Sequence, residues 1–185
     1  IGLRNPWQFF EFKGSLIVPD VGYSVNEEIS ISNLKKFPIN FAWPIYEGME
    51  TSKDIDGIKN YKIDLDVFME DKKVNNIFDF SVSNSLKPLF TYNHNPIEDA
   101  SGYRGAIVGG DIFVTSSEDY RNNLVFVDHM SGEIFLYNIT NGKLFITPPK
   151  LVDGFPSALK IYDEEPNSII VTTYNGELKI IKLPS

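Results

Sequence analysis

The stretch Leu124-Val125-Phe126-Val127-Asp128-His129-Met130-Ser131-Gly132-Glu133-Ile134-Phe135-Leu136-Tyr137-Asn138-Ile139-Thr140-Asn141-Gly142-Lys143-Leu144-Phe145-Ile146 decides the fold. It contains three short runs of aliphatic, β-branched and aromatic residues, at 124–129, 132–138 and 142–147. Such residues suit the pleated surface of a sheet. The turn pairs Ser131-Gly132 and Asn141-Gly142 separate the runs. Asn-Gly between apolar runs is the strongest short-range hairpin signal, because a type I′ turn holds both central residues at positive φ. The stretch therefore reads as three successive antiparallel strands.

The same grammar continues toward the C-terminus. Runs at 157–162, 168–173 and 177–183 follow, the last two joined by Asn175-Gly176. Gly132-Glu133-Ile134-Phe135-Leu136-Tyr137 and Gly176-Glu177-Leu178-Lys179-Ile180-Ile181 begin 44 positions apart, and each follows a β-branched strand and a tight turn. A period of about 40–45 residues with several short strands per unit is the signature of propeller blades. Upstream, Ile112-Phe113-Val114 is a short apolar run. The Gly-rich stretch 102–110 before it lacks the Lys-Ser/Thr of a P-loop and has no following helix pattern, so it reads as a tight loop.

Residues 105–183 resemble WD40 repeats and, more loosely, quinoprotein-type propellers. Tyr137-Asn138 stands where WD40 repeats carry Trp-Asp, Ile181-Lys182 takes that place in the second repeat, and the Gly-His signature is absent. A weaker echo, Tyr92-Asn93, precedes Tyr137-Asn138 by 45 positions. The resemblance implies an all-β propeller, partial or completed by another chain; a β-sandwich is the alternative. Residues 106–185 are read as two propeller-like blades, and 1–105 as a β-rich region of uncertain topology within the same compact unit.

In that first region Glu28-Ile29-Ser30-Ile31-Ser32 alternates as a half-buried strand does, and Ile63–Val82 makes a hairpin candidate turning at Asp71-Lys72-Lys73. Residues 48–62 are polar and acidic and read as a loop. Composition agrees with β structure: 14% aromatic residues, with 14 Phe and 9 Tyr, beside 13 Gly and 11 Pro for turns.

The net charge of −8 repels phosphate backbones, so direct nucleic-acid binding is not expected. The absence of cysteine excludes disulfides, thiolate metal sites and a Cys nucleophile. No apolar run approaches the roughly 20 residues of a membrane span. A soluble, cytoplasmic chain is slightly favoured, with a processed or exported chain as the alternative, since the first residue is Ile1 rather than Met.

Catalytic constellations are not legible, and the expectation is no catalytic residue, no cofactor and no metal. His94 and His129 have no partner at metal-ligand spacing and read as structural or surface residues. Asp54, Asp56, Asp64 and Asp66 miss the EF-hand register and read as solvated loop and strand faces. Asn138-Ile139-Thr140 is a glycosylation sequon that has meaning only in a secretory context. The expected function is a non-catalytic protein–protein interaction scaffold, a subunit of a larger complex. The alternatives are a carbohydrate-active hydrolase with paired carboxylates, and a structural subunit of a virion or surface assembly. The final repeat shows three strands where a blade has four, so its outer edge is the candidate partner-binding edge. It would comprise Ile180 and Leu183 with the N-terminal residues Trp7, Phe9, Phe10 and Phe12, the segment Trp7–Phe12 being the candidate fourth strand.

Overall fold

The computed structural model describes residues 2–35, 39–51, 85–94, 103–114 and 118–184, and its regular structure is all β. The first sheet contains β1 (Phe10–Phe12), β2 (Ser15–Asp20), β3 (Asn26–Asn33) and β6 (Phe90–Asn93), in that spatial order. A small hairpin, β4 (Tyr46–Glu47) with β5 (Glu50–Thr51), lies between β3 and β6 in sequence. The second sheet is a meander of β7 (Ile107–Ile112), β8 (Asn123–Asp128), β9 (Ile134–Asn138) and β10 (Leu144–Ile146). The third has β11 (Pro156–Ile161), β12 (Ser168–Thr173) and β13 (Leu178–Lys182). All strand neighbours are antiparallel. The propeller-like, all-β expectation holds.

The three sheets stack face to face, and the second is sandwiched. On one side Ile107, Leu124, Phe126 and Phe135 pack against Ile17, Ile29 and Tyr92 of the first sheet. On the other, Val108, Val125, Val127, Ile134 and Leu136 pack against Leu159, Ile169 and Val171 of the third. Every residue of β8 is buried. A strand covered on both faces needs apolar side chains at odd and even positions alike, which is why Leu124–Val127 is an unbroken apolar run rather than an alternation. Phe126 and Phe135 are fully buried and stack with centroids 4.9 Å apart. Burying each such ring stabilises the fold by roughly 2–3 kcal/mol.

The leading strands β1, β7 and β11 approach one another at one edge of the stack. A Cβ at Gly110 would lie 2.8 Å from the Phe10 ring, and one at Gly109 would lie 3.1 Å from the Leu159 backbone nitrogen. Strand β7 bulges between Val108 and Asp111. The second part of the Gly-rich stretch, 107–110, is therefore strand, with irregular chain at 104–106 before it, and of Ile112-Phe113-Val114 only Ile112 is in the strand. Its glycines are set by contact with two neighbouring sheets, a long-range cause that local sequence does not reveal. The three runs at 124–147 are consequently strands two to four of their sheet, whereas those at 157–183 are strands one to three of theirs. The 44-residue period equates β8 with β12 and β9 with β13. The Tyr92-Asn93 echo lies on β6, the last strand of its sheet, and so is not equivalent to Tyr137-Asn138 on the third strand of the next.

Turn chemistry also differs from expectation. The two-residue turn with both residues at positive φ is Lys13-Gly14 (φ 50° and 76°), which folds β1 back on β2 with Phe12 opposite Ser15. At the two Asn-Gly pairs only the glycine is left-handed, Gly142 at 72° and Gly176 at 84°. The loop after β9 is longer than a type I′ turn because Asn138 closes it: its Oδ1 accepts from the N–H groups of Thr140 and Asn141, and its carbonyl accepts from Gly142. The Asn138 Nδ2 donates to the Arg121 carbonyl.

In β3 the apolar side, Ile29 and Ile31, packs toward the second sheet as the alternation predicts. The polar side is not solvated: Glu28, Ser30 and Ser32 are all buried, as is Asp20, opposite Glu28 on β2. The loop expected over 48–62 begins with the turn of the β4–β5 hairpin, while the hairpin expected at 63–83 and the four aspartates at 54, 56, 64 and 66 lie outside the described residues.

Candidate interaction surface

The titratable side chains with unusual environments are spent on holding loops. Glu27, fully buried at the start of β3, accepts from the backbone N–H groups of Ala106 (2.8 Å), Ile107 (3.0 Å) and Gly22 (3.3 Å), and pairs with His94 Nε2 at 2.5 Å. Glu47 Oε1 accepts four consecutive backbone N–H groups, Tyr23 to Asn26 (2.8, 2.7, 2.7 and 3.1 Å). Burial pushes the Glu47 carboxyl up, but these donors outweigh it and hold it below its ordinary value. Asp128 accepts from the Tyr92 hydroxyl and from the N–H groups of Gly105, Met130 and Ser131. Arg104 makes a bidentate pair with Glu133 at 2.7 and 2.9 Å. His129 Nδ1 meets the Pro156 carbonyl, and its ring packs near Trp7 and Phe155, a structural role as expected. His94, read as a loop histidine, is the partner of a buried glutamate, and hydrogen bonding to Glu27 raises its pKa.

Three other carboxyls are shifted, all upward by burial: Asp20, Glu28 and Asp128. Burial, with repulsion from Asp20, pushes Glu28 up to about 8 against the N–H donated by Gly48. Burial pushes Asp128 up to about 6 despite its donors. Raised carboxyls can serve as general acids where a substrate can reach them. None of the three lines the clefts at the described surface, which include one of about 520 Å³ bounded by Tyr120, Asn123, Lys143 and Phe145, and one of about 350 Å³ bounded by Phe9, Phe10, Gly110 and Lys160. No group of three or more His, Cys, Asp or Glu side chains among the described residues has the geometry to hold a metal ion.

The Glu28 shift has a measurable consequence. A carboxyl whose folded pKa lies above its ordinary 4.5 contributes full stability below 4.5 and loses it as pH rises toward 8. Glu28→Gln, which keeps the acceptor for Gly48, is expected to be more stable than the parent at pH 8 by on the order of 3 kcal/mol and nearly equal to it at pH 4.5. Asp128 and His94 still lose stability with rising pH in both proteins. Urea unfolding across pH 4.5–8 checks this; parallel curves for the two proteins would exclude a proton on Glu28.

The remaining chemistry lies at the free side of the third sheet. Its inward face, Leu159, Ile169 and Val171, is core. Its outward face carries Ile170 opposite Ile180 and Thr172 opposite Leu178. Leu178 is 62% exposed and Ile180 49%. Among the described residues β13 pairs only with β12. The six residues assigned to that edge are not brought together. Phe10 and Phe12 lie on β1 and pair with β2, because the Lys13-Gly14 turn closes the nearest hairpin. Trp7 lies between sheets, its indole N–H donating to the Ser157 carbonyl at 3.2 Å. Phe9 is exposed beside β11, and Leu183 is buried in the core with its N–H bonded to Asn167 O. Ile180 alone projects from the exposed face of the last strand. Leu178, its neighbour there, was missed, although the spacing from Ile180 on an alternating strand could have placed it.

No family model matches the sequence, and no curated protein matches it. Among solved structures the chain is similar in fold to the soluble aldose sugar dehydrogenase of Escherichia coli, determined in its apo-form, with a TM-score of 0.60 and 15% identity. The match covers 98% of this chain and 46% of that one, so the chain spans just under half the length of the protein it resembles. At that identity the likeness concerns the fold, a β-propeller. No helix among the described residues is long and apolar enough to cross a membrane.

Proposed function

We propose that this chain is a non-catalytic protein-binding module, a propeller-type scaffold that works as a subunit of a larger complex. The observation that carries this reading is the use of its buried carboxylates: Glu27, Glu47 through Oε1, and Asp128 accept from backbone N–H groups, and Glu28 and Asp128, whose carboxyls are pushed up, line none of the described clefts. Their binding energy goes into a rigid frame, and such a frame presents loops, edges and sheet faces to partners. The WD40-like spacing around Tyr137-Asn138 supports the same use. Sugar dehydrogenation belongs to the structural neighbour's name, and none of the described side-chain arrangements requires it.

Light scattering coupled to size exclusion tests the proposal. In its native extract the chain is expected to elute in a particle well above its own 21.0 kDa. A mass of 21.0 kDa in the extract would refute the scaffold reading, and sugar turnover abolished by Glu28→Gln or Asp128→Asn would replace it with the enzyme.

A further inference from the structure

The Glu27 carboxylate meets four donors on its two oxygens. Oε1 accepts from the Ala106 N–H at 2.8 Å and pairs with His94 Nε2 at 2.5 Å. Oε2 accepts from the N–H groups of Ile107 at 3.0 Å and Gly22 at 3.3 Å. Three of the donors are peptide groups, which carry no net charge. His94 is the fourth, and its charge changes with pH. Among the described residues it is the one cationic side chain paired with Glu27. The pair is open to protons at one end: the Glu27 side chain is 0% exposed and the His94 side chain 24%. The backbone fixes the histidine in place, since its N–H donates to the Val25 carbonyl at 3.0 Å, just past the Asn26–Asn93 pair that ends the β3–β6 ladder. The charged side chains acting on the ring are Glu27 of β3, Glu47 of β4 and Asp128 of β8. Arg104, ahead of β7, is engaged by Glu133.

We infer that His94 is a pH-operated counter-ion that, through Glu27, controls how tightly the first sheet is held to the second. Beside an imidazolium, the buried carboxylate has a compensating charge and keeps its hold on the Ala106 and Ile107 amides. Beside a neutral imidazole, an anion stays in the interior, in the field of Glu47 and Asp128, with only peptide dipoles to stabilise it. Opening that end of the junction hydrates Glu27, so the open state gains on the closed one. The sign is fixed by the hydrogen bond to Glu27, which raises the His94 pKa above its ordinary 6.5 against the opposing effect of burial. The contribution is therefore complete below 6.5 and is lost as pH rises through the raised value. The junction is tight in acid and loosens on the alkaline side.

Amide hydrogen exchange at Ala106 and Ile107, from about pH 5.5 to 8.5 and normalised to intrinsic rates, tests the inference beside an NMR titration of the His94 imidazole. In the parent, protection of both amides is expected to fall on the order of fivefold further than in His94→Gln. The glutamine can still donate to Glu27 but has no charge to lose. Glu28 and Asp128 titrate in both proteins, so the difference between the two profiles belongs to His94. The imidazole is expected to titrate above 6.5. A second reading, independent of any change at 94, uses Glu28→Gln, which removes the competing titration in this range: protection should still fall and should level off once the imidazole has lost its proton. Parallel profiles for the parent and His94→Gln overturn the inference. So does an imidazole that titrates at or below 6.5, or flat protection in Glu28→Gln.

Discussion

Glu27→Ala is expected to destabilise the protein by on the order of 3–5 kcal/mol, the range for removing one partner from a buried charged network. The side chain is fully buried, and its loss leaves the N–H groups of Gly22, Ala106 and the buried Ile107 without their acceptor. It also leaves His94 without its partner. Because Glu27 lies at the start of β3 and Ala106 and Ile107 at the start of β7, this one carboxylate ties the first sheet to the second across about 80 residues of sequence. Glu27→Gln, which retains a carbonyl oxygen, should fall between. Urea unfolding measures the stability, and amide exchange at Ala106 and Ile107 measures the tie. Unchanged protection of those two amides in the Ala variant would mean that the tie is made by something else.

Gly132→Ala is expected to be almost as damaging, at roughly 3 kcal/mol or more, and Gly142→Ala to cost only about 1 kcal/mol. Both glycines are left-handed, at 65° and 72°. They differ in what surrounds them. A methyl group at 132 would lie 2.2 Å from the Val152 carbonyl oxygen, backbone atom against side chain with no flexible partner to move aside, whereas at 142 the nearest atom is the Tyr137 hydroxyl at 3.8 Å. The connection at issue also carries the hydrogen bonds from Lys150 N–H to the Ser131 carbonyl and from Val152 N–H to the Gly132 carbonyl. Thermal midpoints of the two variants in parallel separate backbone strain, common to both, from the steric clash confined to one. Equal losses would show that the connection yields.

These contrasts mark how far local sequence could be read. The strands of the second and third sheets were legible because burial and alternation leave their trace residue by residue, as in Leu124–Val127 and in Leu178–Lys182. The order of the first sheet was not, since its fourth strand arrives at Phe90 after a long excursion and pairs back onto β3. Strand β7 was hidden for a different reason: Gly109 and Gly110 look like a loop until the two neighbouring sheets that crowd them are known. The carboxylate clamps were equally hidden. Glu27 in an alternating strand is indistinguishable from a solvated glutamate, and only contacts some 80 residues away give it a role. One signal was present and overlooked: Asp128 and Asn138 each precede a glycine by four positions, and each side chain accepts from the N–H groups two and three residues on. The free face was half legible, with Ile180 recognised and Leu178 not.

The hydrogen bond from the Trp7 indole to the Ser157 carbonyl spans 150 residues. During synthesis Trp7 leaves the ribosome with its acceptor still unmade. At typical elongation speeds the delay is roughly 10–30 s, far longer than a hairpin takes to form. The β1–β2 hairpin can close at once on its Lys13-Gly14 turn, but the segment before it has nothing to dock on until β11 emerges. The nascent chain therefore carries an exposed indole until β11 emerges, and the docking of the segment before β1 waits on a strand made 150 residues later.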